Sequence, residues 1–146
     1  MDSTKVLIAF YSRNGSTEAL AKEVAVGARA NGAEVRLRRA ADIVSPEVMT
    51  HAPGWAENSA RMTAEYGAPT EADAEWADAI VFGTPTRFGN ASSELKAYID
   101  SLGGLWFQGK LVGKASGAFT STSTARRGRF VAKTISPTNP EKARPN

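Results

Sequence analysis

The residues best suited to chemistry begin with a polar loop near the N-terminus. Residues 12–17 read Ser-Arg-Asn-Gly-Ser-Thr and follow an apolar run directly before a helical pattern. A helix N-terminus presents unpaired N–H groups and a partial positive charge, and hydroxyl groups add further donors for an anion. The loop is therefore predicted to hold a phosphate, although a cap formed by Asn14 or Ser16 alone explains the residues equally well.

A second loop, at residues 83–90, reads Gly-Thr-Pro-Thr-Arg-Phe-Gly-Asn. Backbone N–H groups and a positive charge in such a loop would suit a planar, electron-rich ring such as a flavin. By composition alone, a turn with Phe88 packed inward and Arg87 solvated is the simpler interpretation. The presence of both loops in one chain favours a bound flavin nucleotide.

Composition limits the chemistry that side chains can perform. The chain has no cysteine and one histidine, which excludes disulfides, thiolate nucleophiles and multi-histidine metal centres. Redox chemistry must then come from a cofactor, and no catalytic side chain is assigned.

The charged residues are unevenly distributed along the chain. Residues 125–146 hold six basic and one acidic side chain, whereas residues 1–124 hold twelve basic and fourteen acidic ones. The basic character belongs to the tail, and a nucleic-acid groove in the body is not expected.

Strands that alternate with helices are predicted to position the two loops. Apolar or alternating runs predict strands at 5–11, 34–38, 79–82 and 115–119. Helical periodicity predicts helices at 16–30 and 91–102, the second stopped by Gly103 and Gly104. Thr70 and Asp73 form a candidate capping box, and residues 41–69 remain helix and loop. This order predicts an α/β domain with a mostly parallel sheet and a ligand beyond the carboxyl ends of its strands.

Three segments in this order resemble the WrbA family of FMN-dependent NAD(P)H:quinone oxidoreductases. They are residues 10–17, residues 82–90 with the sequence Phe-Gly-Thr-Pro-Thr-Arg-Phe-Gly-Asn, and residues 102–106 with Leu-Gly-Gly-Leu-Trp. Ordinary flavodoxins share the phosphate loop but not the other two. The resemblance runs from Lys5 to about Thr124.

The resemblance implies a flavodoxin-like, three-layer, doubly wound sheet of order 2-1-3-4-5 in a homotetramer. A cytoplasmic location is predicted separately, because the sequence shows neither a secretory signal nor an apolar run of bilayer length. NAD(P)H would reduce FMN and leave before a quinone takes two electrons, with the nicotinamide nucleotide passing near Asn14 and Trp106 lining the quinone pocket. The implied FMN-binding residues are Ser12, Arg13, Asn14, Gly15, Ser16, Thr17, Thr86, Arg87, Phe88, Ser121, Thr122, Ser123 and Thr124.

The chain departs from the family after residue 124, where members continue with His-Gly-Gly, further helices and a fifth strand. Residues 125–146 are basic and contain prolines, which predicts disorder and a missing fifth strand. Ala125 to Gly128 can be encoded by codons that, read one base later, encode His-Gly-Gly, the sequence that family members have at this point. We therefore interpret the altered C-terminal sequence as the result of a frameshift in the gene. Residues 1–124 would then be a truncated FMN-binding domain. A one-electron carrier and a non-catalytic binding protein, including one that binds nucleic acid through the tail, remain alternatives.

Overall fold

The computed structural model describes residues 2–123 of the chain. Its strands are β1 (Lys5–Phe10), β2 (Glu34–Arg39), β3 (Ala79–Pro85) and β4 (Ala115–Ser121). Its helices are α1 (Ser16–Ala30), α2 (Pro46–Met49), α3 (Trp55–Tyr66), α4 (Glu71–Trp76), α5 (Ser93–Ser101) and α6 (Gly103–Phe107). None of these six helices, all within the described part, is long and apolar enough to cross a bilayer. The predictions for Thr124 and for the tail 125–146 lie outside the described residues.

All four strands run parallel in the order β2-β1-β3-β4. Val6 of β1 lies beside Val35 on one side and beside Ala79 on the other, and Ala79 lies beside Ala115. The predicted parallel α/β sheet is confirmed, as is the order 2-1-3-4 of its first four strands. The carboxyl ends of β1, β3 and β4 therefore meet at one end of the sheet, where a doubly wound fold binds ligands.

The core consists of two apolar layers because alternate side chains of a strand point to opposite faces. On one face, Leu7, Ala9 and Tyr11 pack with residues of α4, α5 and α6. On the other face, Ile8 and Phe10 pack with residues of α1 and α3. Since residues 7–10 of β1 are completely buried, the strand that precedes the first loop is fixed from both sides.

Several predicted boundaries are wrong. Residues 83–85, predicted as loop, extend β3 because their partners on β4 continue the ladder as far as Pro85 beside Ser121. A proline at the last strand residue is tolerated because its missing N–H need not pair. The predicted capping box at Thr70 is confirmed.

The helix predicted from residue 91 begins at Ser93 because the Ser92 hydroxyl caps it by accepting from the Leu95 N–H. That helix ends at Ser101, close to the predicted stop. Gly103 and Gly104, which were predicted only to end that helix, also begin the short helix α6. No helical periodicity in the sequence predicted α6.

Candidate functional site

A cleft of about 750 Å³ lies at the carboxyl end of the sheet. It is formed by three segments that are distant in sequence, namely the loops after β1 and β3 and the end of β4. Its lining residues are Ser12, Arg13, Asn14, Ser16, Thr17, Pro85, Thr86, Arg87, Phe88, Gly89, Ser121, Thr122 and Ser123. The structure thus brings nearly all the sequence-predicted cofactor-binding residues together, and the volume lies within the range of about 300–1,000 Å³ typical of ligand pockets.

The first loop leaves the N-terminus of α1 without a side-chain cap. Gly15 occupies the N-cap position with φ of 100°, a left-handed conformation that favours glycine. Its N–H donates to the Ser12 hydroxyl at 3.0 Å. Within residues 2–123, the N–H groups of residues 13, 14, 16 and 17 have no protein acceptor. The interpretation that Asn14 or Ser16 merely caps the helix is therefore wrong, and the loop retains donors for an anion.

The end of β4 is tied to both loops. The hydroxyl groups of Thr17 and Ser121 lie 2.8 Å apart, which joins the first helix turn to the last residue of β4. The Thr86 N–H donates to the Ser121 carbonyl at 3.0 Å. Ser121 is thus hydrogen-bonded to both Thr17 and Thr86, and it fixes the positions of the three segments that form the cleft relative to one another.

The second loop closes in a tight turn after β3. Arg87 and Asn90 exchange two backbone hydrogen bonds of 2.9 Å each. Phe88 and Gly89 between them have φ of 52° and 81°, the arrangement of a type I′ turn. A phenylalanine in this region is strained by about 1–2 kcal/mol. Phe88 is fully exposed beside the cleft, so the interpretation that it packs inward is wrong.

The charges that line the cleft are all positive. Two arginines and no carboxylate belong to the lining. Arg87 donates to the Thr86 carbonyl at 3.2 Å. The Arg13 guanidinium lies 4.9 Å from the centre of the Trp55 ring, and its buried Nε has no hydrogen-bond partner among the described residues. Because residues 1–124 carry more acidic than basic groups, the charge of the cleft lining is opposite in sign to the net charge of the domain.

A buried ion pair, which was not predicted from the sequence, lies directly behind the first loop. Arg39, the last residue of β2, donates from Nε and Nη2 to the Ser12 carbonyl at 3.1 and 2.9 Å. Its Nη2 also donates to Asp42 at 2.9 Å. The sequence signal is the alternation of β2, because Arg39 continues the face of Val35 and Leu37 whereas Arg38 lies on the opposite face.

Burial opposes ionisation of Asp42, but its hydrogen bonds outweigh that effect. Ser59 and Tyr11 donate their hydroxyl protons to its carboxylate at 2.6 and 2.7 Å. Together with the charge of Arg39, these bonds hold the pKa of Asp42 below its ordinary value. Asp42 is therefore ionised at neutral pH, and the Arg39–Asp42 pair is a true ion pair.

Two predicted site residues within 2–123 do not line the cleft. Gly15 shapes the first loop through its backbone but is not in contact with the cavity. Trp106 lies on α6 with its side chain largely exposed, and it is not among the lining residues. Thr124 falls outside the described residues.

Comparison with known proteins identifies consistent relatives. A family model for NADPH-dependent FMN reductase matches residues 5–135. An NAD(P)H dehydrogenase (quinone) from Deinococcus radiodurans is 44% identical over 125 residues, which cover 86% of this chain and 62% of that protein. NAD(P)H dehydrogenase (quinone) 3 from Rhizobium meliloti is 44% identical over 126 residues, covering 86% of this chain and 57% of that protein.

A solved structure gives the same picture. The crystal structure of a flavodoxin, WrbA-like protein from Agrobacterium tumefaciens superposes with a TM-score of 0.57 at 28% identity. The superposition covers 85% of this chain and 63% of that one. The flavodoxin-like fold is thereby confirmed. The chain spans only about 60% of the length of the curated relatives that it matches.

Proposed function

The chain belongs to the NADPH-dependent FMN reductase family, and from that premise we propose that it binds FMN in the cleft and transfers two electrons from NADH or NADPH to a quinone. The quinone and the nicotinamide donor are carried over from the names of its relatives. No side chain is required as an acid or base in this proposal. When FMN is bound, its isoalloxazine ring accepts and releases the electrons, and the protein supplies binding and orientation.

The observation that carries the proposal is the match between the first loop and a phosphate dianion. The α1 N-terminus has no side-chain cap, the residues that carry the free backbone N–H groups line the cleft together with Arg13, and no carboxylate belongs to the lining. Charge-assisted hydrogen bonds to such an anion are about twice as strong as neutral ones. The residues present therefore fit the phosphate of FMN.

The second loop fits the ring system of FMN. Phe88 offers an exposed aromatic face at the cleft, and Arg87 offers a cation next to the backbone donors of the turn. Thr86, Arg87 and Phe88 are proposed to flank the isoalloxazine. Ser121, Thr122 and Ser123, at the end of β4, are proposed to close the third side, and Thr124 is assigned to the same loop by resemblance.

The proposal includes a cytoplasmic location, where NADH and NADPH are available, and assembly into homotetramers. Trp106 is proposed to contact the quinone, although it lies outside the cleft of one subunit. Its exposure, together with that of Phe107 and Val112 nearby in sequence, leaves apolar side chains free for a subunit contact. Multi-angle light scattering of the purified chain measures the assembly directly.

The test of the proposed function is a titration with FMN and, separately, with riboflavin, which lacks the phosphate. We expect saturable binding of one FMN per chain and at least tenfold weaker binding of riboflavin, since each charge-assisted bond to the phosphate contributes about 1.5–3 kcal/mol. Oxidation of NADH or NADPH by benzoquinone should then require added FMN.

Two variants sharpen this test. Arg13→Gln should weaken FMN binding and leave riboflavin binding nearly unchanged. Lys96→Gln removes an exposed cation on α5, whose partner is Asp100, and should affect neither ligand. A folded chain that binds no FMN would overturn the proposal.

A further inference from the structure

We propose that Arg39 and Asp42 form a positioning pair that orients the peptide between Ser12 and Arg13 toward the phosphate of the ligand. This inference rests on the proposed function, because it concerns the same phosphate loop. Neither residue lines the cleft, and the contacts that connect the pair to the cleft run through Ser12 and Arg13.

The geometry of Arg39 fixes one carbonyl group. Arg39 lies beside Phe10 in the sheet register, and its buried guanidinium reaches across the end of β1. Two of its N–H groups converge on the Ser12 carbonyl oxygen at 3.1 and 2.9 Å. Because a peptide group is planar, a fixed carbonyl also fixes the direction of the following N–H, which belongs to Arg13.

Asp42 in turn prevents the guanidinium from rotating. Its Oδ2 accepts from Arg39 at 2.9 Å and from Ser59 at 2.6 Å. Its Oδ1 accepts from Tyr11 at 2.7 Å and from the Trp55 indole at 3.2 Å. Both oxygens of this buried carboxylate therefore accept hydrogen bonds, and the pair is anchored both to the residue that follows β1 and to α3.

The pair also strengthens the donor that it orients. Hydrogen bonds to the carbonyl side of a peptide polarise the group and make its N–H a better donor. The Arg13 N–H has no protein acceptor within residues 2–123. It is thus available to an anion in the cleft with its direction already set, which removes part of the cost of ordering the loop on binding.

The same network places the Arg13 side chain. The Arg13 guanidinium stacks on the Trp55 ring at 4.9 Å, and the Trp55 indole N–H is held by Asp42. One carboxylate therefore supports both the backbone and the side-chain cation of Arg13. A pair that served only to stabilise the core would not need these two links, since apolar side chains of similar size often stabilise a core equally well.

The experiment measures dissociation constants of FMN and riboflavin for the full chain and its variants. Arg39→Met keeps most of the side-chain volume and removes the donors to Ser12, and the double variant Arg39→Met/Asp42→Leu avoids leaving an unpaired carboxylate. We expect FMN affinity to fall roughly ten- to hundredfold in both, the effect of losing a well-placed donor to a charged group. Riboflavin affinity should change by less than about twofold, because riboflavin has no phosphate for this donor to bind.

A conservative series keeps the test decisive if these variants fold poorly. Arg39→Lys keeps the charge but cannot form the two-pronged contact, and Ser59→Ala removes one donor to Asp42 while leaving the Arg39–Ser12 contact in place. We expect an intermediate loss of FMN affinity for Arg39→Lys and a smaller one for Ser59→Ala, again with little change for riboflavin.

The outcomes separate this inference from the proposed function. Equal losses for FMN and riboflavin, or no loss for either, would overturn the positioning role while wild-type FMN binding still supports the proposed function. Wild-type protein that binds neither flavin would overturn the proposed function and the positioning role together.

Discussion

At the scale of single residues, Phe88 shows how the site departs from the rules that govern the rest of the fold. It is the one residue other than glycine with positive φ among the described residues, and its ring is fully exposed. A type I′ turn favours asparagine or glycine at this position. Strain of this kind concentrates at functional sites because selection retains a side chain that the backbone disfavours.

We therefore predict that Phe88→Asn stabilises the protein and weakens flavin binding. Asparagine tolerates the left-handed conformation, so the free energy of unfolding should rise by up to about 1 kcal/mol. The ring lost with Phe88 should weaken FMN and riboflavin binding alike, because it contacts the isoalloxazine in our proposal. Urea unfolding and flavin titration measure the two effects.

The matched control is Val26→Asn on α1, which also removes an exposed apolar side chain but from ordinary helical backbone outside the cleft lining. It should bring no gain in stability and no loss of flavin affinity. A Phe88→Asn variant that is less stable than the wild type would show that the ring makes contacts which outweigh its strain.

At the scale of elements, β3 and β4 approach each other closely at Gly83. A Cβ atom on Gly83 would lie 2.2 Å from the Phe119 ring, so glycine is required here for space rather than for its φ. We predict that Gly83→Ala destabilises the domain by about 1–3 kcal/mol, the usual cost of overpacking. Chemical denaturation measures the change.

Two further variants test the cause. Gly117→Ala on β4, where nothing lies within 4 Å of the added Cβ, should be nearly neutral. Gly83→Ala combined with Phe119→Leu should recover part of the loss, because the clash is with the ring. A double variant no more stable than predicted from adding the single effects would contradict this explanation.

Helices α1 and α3 are joined by Glu18. Arg61 donates to both of its carboxylate oxygens at 2.9 and 2.8 Å, and Tyr66 donates at 2.6 Å. The hydrogen bonds from Arg61 are the main reason that the pKa of Glu18 falls from 4.5 to about 2, with burial opposing and Tyr66 assisting. The folded state therefore favours the ionised form of this carboxyl group more than the unfolded state does.

We predict that Glu18→Gln lowers the free energy of unfolding by about 1–3 kcal/mol at pH 7. Because the folded pKa lies below the unfolded one, the Glu18 contribution is present above about pH 4.5 and is lost as the pH falls toward 2. The difference between wild type and variant should therefore shrink across that interval in urea unfolding at several pH values. Glu23→Gln, an exposed change on the same helix, should show no such dependence, and a difference independent of pH would contradict the assignment.

At the scale of the whole molecule, the lining of the cleft is positively charged while the rest of residues 1–124 is acidic on balance. Residues 1–124 are acidic on balance, whereas the cleft lining contains two arginines and no carboxylate. A positive cleft on an acidic domain attracts anions locally rather than over the whole surface. This arrangement suits a small phosphorylated ligand better than a nucleic acid, which needs an extended basic face.

We predict that FMN affinity falls several-fold as salt rises from about 0.01 M to about 1 M, where the Debye length shrinks from about 30 to about 3 Å. Riboflavin affinity should be nearly constant over the same range because riboflavin carries no charge. Fluorescence titration at fixed pH measures both, and equal salt dependence of the two ligands would place the phosphate away from the arginines.

The sequence by itself determined the parallel α/β arrangement, the capping box at Thr70 and the first two loops of the cleft, whereas residues 121–123 were assigned through the family resemblance. These features are local, since periodicity and turn residues act over a few neighbours in the chain. Residues 83–85 were assigned wrongly because their strand pairing depends on β4, more than thirty positions away.

Only the tertiary structure decided which groups support the cleft. The alternation of β2 places Arg39 on the face of Val35 and Leu37, but only the fold shows that its guanidinium reaches the carbonyl of Ser12, which is distant in sequence. The outward position of Phe88 and the absence of Trp106 from the cleft depend likewise on how the loops close. Side-chain partners across a fold are set by packing in three dimensions, and that information does not reside in any local pattern.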